Sequence, residues 1–331
     1  MLLLTGDFFC PGDTTLYHWR FMAFVALDPA TRDSRLRSAR RRWDALVEER
    51  PDLVPAIDLQ RQLIGLVVDL ADTIEHGRLP RLSLPPRYLA AKLARGVPAL
   101  AGEPIPLPIN VLRPTLLRLC EELSTGGAGE AADRIKASIV ETRMDAGSLL
   151  TASLARDQNA IRTGANHRGL AADLVWLVAE LAVSPFAYAL QHSLLSPAGP
   201  GDPTAQALAQ WTHGHCPACG SWPAVAEVAE SHRVLRCSFC AFAWELPTYS
   251  CIYCGESGEK FVTAAPNEER LDRRLEVCGT CGAYLKAMDV PVLSPFPLVA
   301  LADLETMDLD MAAIERGYSR PPLRDFSQKK M

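Results

Sequence analysis

Eight of the ten cysteines in this 331-residue chain fall into four Cys-x-x-Cys pairs inside one 66-residue stretch: Cys216/Cys219, Cys237/Cys240, Cys251/Cys254 and Cys278/Cys281. Two intervening residues let one tight backbone turn aim both sulfurs at a single point. N–H groups of that turn can donate to the sulfurs and offset their negative charge. Two pairs make a four-sulfur cage and eight cysteines make two, and tetrahedral thiolate sets select zinc or iron. Gly220, Gly255 and Gly282 follow the second cysteine in three pairs, and Ala241 follows it in the fourth. Glycine at that place suits a turn that leaves through positive φ.

Sequence order gives the simplest pairing. Seventeen residues separate Cys219 from Cys237 and 23 separate Cys254 from Cys278, room for a short β-hairpin between the knuckles of one site. Only ten residues separate Cys240 from Cys251, which reads as the join between two duplicated lobes of about 40 residues each. A nested pairing, first pair with fourth and second with third, also satisfies the spacing.

Other uses of cysteine fit less well. A disulfide framework belongs to small secreted domains, whereas these cysteines sit at one end of a long chain that opens with Met1-Leu2-Leu3-Leu4 and then Gly6 and Asp7, without a basic segment or a useful apolar run. A redox Cys-x-x-Cys occurs once, at a strand-to-helix junction, and iron–sulfur clusters usually bring less regular spacing. Reduced thiols and no export signal point to the cytoplasm. Histidines 213, 215 and 232 lie near the pairs but are surplus to two complete four-sulfur sites, so they are expected at the surface or supporting the ligands. Cys10 and Cys120 lack an evident partner, and Cys120 on an apolar helix face is expected in the core. The chain has no Gly-x-Ser-x-Gly, phosphate loop, His-Glu-x-x-His or dinucleotide fingerprint. A cage closed by four sulfurs leaves no position for hydrolytic chemistry, so the chain reads as non-enzymatic.

The net charge of −5 offers no global field for a polyanion, and within 216–290 ten acidic side chains face seven basic ones. Zinc ribbons that bind nucleic acid present a basic face; this one does not, and nucleic-acid binding is not expected. Upstream, apolar periodicity predicts an α-helical domain over 1–195, irregular to about residue 30. Helices are expected at 34–50, 54–75, 87–95, 109–124, 129–142, 145–163 and 168–193. The most apolar segment, Leu170–Leu195, carries Asp173, Glu180 and Pro185, so a buried helix is expected, not a membrane span. The Arg40-Arg41-Arg42 run reads as a solvated helix face. Residues 196–211 read as a linker by composition, 212–290 as a two-lobed metal domain of zinc-ribbon type, and 291–331 as an extended strip with one helix near 301–316. Leu304, Met307, Met311 and Ile314 mark the expected buried face of that helix. The fold class is thus α with a small β part.

The blocks CPACGSWP (216–223), LRCSFCAFAWEL (235–246), CIYCGESGE (251–259), CGTCGAYLKAMD (278–289) and ADLETMDLDMAAIERGY (302–318) resemble the FdhE family. The resemblance is strong across about 210–320; over the helical half only helix content and order agree. Leu246–Ser250 lacks the basic residue that family members often carry before the third pair. The resemblance implies an accessory protein for maturation of formate dehydrogenase. The expected partner is the catalytic subunit of a respiratory enzyme, bound in the cytoplasm before twin-arginine export. It also implies rubredoxin-like lobes that bind iron, a choice over zinc that spacing alone does not make. The functional positions carried over are the eight paired cysteines. A rubredoxin-like electron carrier and a nucleic-acid-binding zinc ribbon are the alternative readings.

Overall fold

Local capping and apolar periodicity account for most of the helical half. The computed structural model describes residues 25, 27, 29–77, 82–196, 201–265, 270–324 and 326, so Cys10 and most of the first 30 residues lie outside it. Helix α1 (Arg32–Glu49) begins at Thr31, whose hydroxyl accepts from the Ser34 N–H. Helix α2 (Val54–His76) buries Ile57, Leu66, Val67, Leu70 and Ile74 and ends at Gly77. Then come α3 (Pro86–Leu93), α4 (Ile109–Leu123), α5 (Gly129–Val140), α6 (Ala146–Leu154), α7 (Gln158–His167) and α8 (Ala172–Leu195). The last is long and apolar enough to cross a membrane by composition, yet most of it is buried among α2, α4, α6 and α7. Pro185 leaves the Leu181 carbonyl without its usual helical donor, and the Ser184 hydroxyl donates to that oxygen at 3.3 Å.

Six strands follow: β1 (Pro223–Ala229), β2 (His232–Cys237), β3 (Ala243–Trp244), β4 (Phe261–Ala264), β5 (Arg273–Cys278) and β6 (Ala283–Asp289). They form one sheet in the order β3-β2-β1-β6-β5-β4. All pairs are antiparallel except β1 with β6, which run parallel. Each lobe repeats the series knuckle, strand, strand, knuckle, strand, as the duplication reading expects. Helices α10 (Val299–Glu305) and α11 (Met307–Glu315) close the chain. Fully buried Glu227 and Arg236 pair within the first lobe, and Glu227 also accepts from the Ser294 N–H at 3.0 Å, fastening the strip after β6 to the sheet.

Several expectations need correction. The single helix over 145–163 is two helices, because Arg156 takes a left-handed φ of 60° and the Asp157 carboxylate caps a new start by accepting from the Ala160 N–H at 2.9 Å. The terminal helix likewise breaks at Thr306, whose hydroxyl turns back to the Ala302 carbonyl at 2.6 Å. The break reorients the second piece, so Leu309 and Ala313 pack on Leu275 and Val277, while Met311 and Ile314 are 58% and 63% exposed. The 196–211 stretch holds a helix, α9 (Pro203–Ala209), with Asp202 as its cap and Pro203 in its first turn; it packs on α3. Arg42 is not a solvated residue. Its guanidinium grips both carboxylate oxygens of Glu305 at 2.8 and 2.6 Å and donates to the Ser294 hydroxyl, tying α1 to the C-terminal strip.

The largest apolar cluster does not stop at the domain boundary. It runs from Leu66, Leu116 and Phe186 in the helices to Cys216, Phe239 and Trp244 in the first lobe. Phe239 is fully buried there. Its replacement by Ala should lower stability by about 3–5 kcal/mol, the cost of an emptied aromatic site. In urea the helical ellipticity and the intrinsic tryptophan signal should fall in one shifted transition. A loss under about 1 kcal/mol, or two separated transitions, would show that lobe and helices do not share a core.

Candidate metal centres

Each knuckle closes in the same way. The N–H of Gly220, Ala241, Gly255 and Gly282 donates to the carbonyl of the first cysteine of its pair, at 2.9, 3.1, 2.8 and 2.9 Å. The four closing residues have φ of +84°, +54°, +82° and +68°, the left-handed region that only glycine enters freely. Ala241 is the exception, held there by the knuckle and the buried lobe around it.

The knuckles meet in sequence order. Cys216, Cys219, Cys237 and Cys240 form one group and Cys251, Cys254, Cys278 and Cys281 the other, with the sulfurs of each group within 4.8 Å of one another. Sulfur–sulfur distances of 3.4 and 3.6 Å in the first and 3.6 and 3.7 Å in the second rule out disulfides, whose bond is about 2.05 Å. They lie close to the ~3.8 Å edge of a tetrahedron built on metal–sulfur bonds of about 2.3 Å. The donor set, its spacing and its symmetry therefore fit a four-coordinate ion in each group. Among the described residues no histidine joins either group.

Electrostatics at the two groups differ. Burial drives the Cys216 and Cys240 thiols well above the ordinary range. Burial also opposes ionisation of Cys219, yet bonds from the three neighbouring thiols and the charge of Arg156 take it well below that range. In the second group burial works to raise Cys278, but the N–H groups of Cys281 and Thr280, together with neighbouring thiols, bring it to about 7. A divalent cation would deprotonate all four sulfurs of a group at once. All four first-group cysteines are buried; in the second, Cys254 and Cys281 are exposed.

Three supports of the first group are invisible in the cysteine pattern. The Arg156 guanidinium stacks 4.0 Å from the ring centre of Phe239, which sits between Cys237 and Cys240, and 4.7 Å from that of Trp176, while donating to Glu180 at 2.8 Å. The loop after α3 lies against the first knuckle: Ala99 and Leu100 donate to the carbonyls of Pro217 and Ala218 at 2.8 and 2.9 Å. Buried Lys92 holds that loop through the Ala99 and Ala101 carbonyls and Glu103. Lys92 and Glu103 carry no motif; the left-handed Arg156 next to a capping Asp157 is a signal only in hindsight.

His213 and His232 are exposed, and His232 pairs with Glu245 at 3.3 Å. His215 is not a surface residue. It is buried against Trp211, Trp222 and Phe326, 3.3 Å from the Gly96 carbonyl, and burial lowers its pKa to about 4, so it is neutral at pH 7. Cys120 lies in the helical core as expected, and burial pushes its thiol up to about 12. Gly214 couples the two groups sterically: a Cβ there would overlap the Ile252 carbonyl in the third knuckle.

No family model matches the chain. Curated relatives align over about a third of it. The FdhE homologue of Haemophilus influenzae (strain Rd) is 34% identical over 116 residues, covering 34% of this chain and 38% of that protein. The homologue of Edwardsiella ictaluri is 35% identical over 115 residues, and that of Aquifex aeolicus 27% over 114. The matched segment thus spans 37–40% of the length of these curated relatives. In fold, the chain is similar to the crystal structure of the FdhE protein from Pseudomonas aeruginosa, with a TM-score of 0.56 at 23% identity, over 89% of this chain and 95% of that one.

Two metal ions per chain are expected by elemental analysis and native mass spectrometry, with metal–sulfur distances of about 2.3 Å by X-ray absorption. Both should be lost as acidification protonates the thiolates. Nitrogen in the coordination sphere, or one ion per chain, would refute the two four-sulfur cages. Gly214→Ala should reduce the metal retained without removing any sulfur.

Proposed function

We propose that the chain is a member of the FdhE family and an accessory protein for maturation of respiratory formate dehydrogenase. On this reading it binds the catalytic subunit of that enzyme in the cytoplasm before export, and it is not itself an enzyme. The observation that carries the reading is the pair of four-cysteine groups set in the FdhE fold. Each group supplies four sulfurs and leaves no position for a substrate, so its chemistry is structural or electron-transferring. Cys216, Cys219, Cys237 and Cys240 would hold one ion and Cys251, Cys254, Cys278 and Cys281 the other. Iron is the occupant the resemblance favours, and zinc fills the same cages. When bound, the ion cross-links the two knuckles of a lobe. The protein's own residues close each turn, and at the first group they also supply the cation of Arg156 and a loop over 97–100 that holds the first knuckle through its backbone carbonyls.

Cys237→Ser or Cys278→Ser should lower respiratory formate dehydrogenase activity in cells without lowering the transcript of the enzyme, and should weaken co-purification of the catalytic subunit. Cys120→Ala removes a thiol that lies in the helical core outside both groups and should leave that activity in place. Unimpaired formate dehydrogenase in a strain deleted for the gene would reject the maturation role and favour an electron carrier.

A further inference from the structure

The two centres share one donor set and one turn geometry, so any difference between them must come from what covers them. Three cysteines of the first group are fully buried and Cys219 is 4% exposed. They share an apolar cluster with α4 and α8, and the backbone of the 97–100 loop closes over the first knuckle. A competing ligand cannot reach that group unless the helical layer opens locally. Among the described residues the second group has no such cover. Cys254 and Cys281 are exposed, and so are the residues next to them, Gly255, Gly279 and Thr280. Edge strand β4 flanks the group on one side, with Phe261 opposite Cys278, and no strand among the described residues pairs with its outer side.

We infer that the second centre is the exchanging one: the site where this protein takes up, loses or shares a metal ion with soft donors, thiolate or imidazole, presented by another molecule. The first is a closed, structural centre. The inference rests on the eight cysteines binding metal, as read above, and not on formate dehydrogenase being the client. Exchange here is substitution without redox change. An incoming donor takes a coordination position, the displaced Cys254 or Cys281 sulfur picks up a proton from water, and the metal keeps its charge. With a chelator the ion leaves complete and all four thiolates become thiols.

The test uses the full-length protein loaded with zinc, challenged with EDTA, while iodoacetamide marks each cysteine as it is freed and peptide mass spectrometry locates the label. Release is expected in two phases of one ion each, with rates at least roughly tenfold apart, because only the slow phase needs the helical layer to open. The fast phase should label Cys251, Cys254, Cys278 and Cys281 and the slow phase the other four. Cys254→Ser should abolish the fast phase and leave the slow one unchanged. A single phase for both ions, or labelling of Cys216 and Cys237 as early as Cys254, would overturn the inference. So would a chain that binds no metal, which would also remove the metal part of the proposed function. Two phases from a protein whose deletion leaves formate dehydrogenase intact would uphold the inference and reject the maturation role alone.

Discussion

Four sulfurs buried in the middle of an apolar cluster are the constraint on which the rest of this molecule depends. A divalent ion held by four thiolates carries net negative charge, and negative charge in a core is tolerable only where hydrogen-bond donors and a cation accompany it. Beside the sulfurs stand the Cys240 N–H, which donates to the Cys237 sulfur at 3.5 Å, and the charge of Arg156, while the 97–100 loop fastened by Lys92 holds the first knuckle through its backbone carbonyls. Arg156 adopts a left-handed φ to reach that place, an unfavourable backbone state for a residue with a Cβ.

What the sequence made legible was what local geometry decides. A spacing of two residues dictates a turn, the turn demands positive φ at its exit, and three glycines and an alanine stand at that exit. Gap lengths favoured pairing in sequence order, and the sulfur distances agree. The helix over 54–75 was likewise readable from its apolar period, and the buried character of α8 from its apolar composition broken by Asp173, Glu180 and Pro185.

The misreadings share one cause, which is that periodicity and composition are blind to backbone breaks and to long-range partners. Apolar spacing continues smoothly across Arg156 and across Thr306, so each interrupted helix reads as one, although Asp157 is a good capping residue. Proline and glycine made 196–211 look like a linker, while Asp202-Pro203 in the same stretch is a helix start. Arg42 reads as one of three surface arginines because Glu305, its partner, lies 263 residues away. For the same reason the sequence left His215 between a surface and a ligand-supporting place: the aromatic cage that buries it is assembled from Trp211, Trp222 and Phe326.

The parallel contact between β1 and β6 has a consequence for the direction of the whole sheet. A twofold axis would have joined like strand to like strand and given two equivalent ends. Instead the first strand of one lobe meets the last strand of the other, so the lobes follow head to tail, an arrangement that does not close on itself. Such an array has polarity. Its head is the two-residue strand β3, whose Ala243 carbonyl accepts from the N–H of Val25. Its tail is β4, which has no strand on its outer side among the described residues. Two lobes of one plan thus acquire different surroundings from their rank in the row, one sheltered and one terminal.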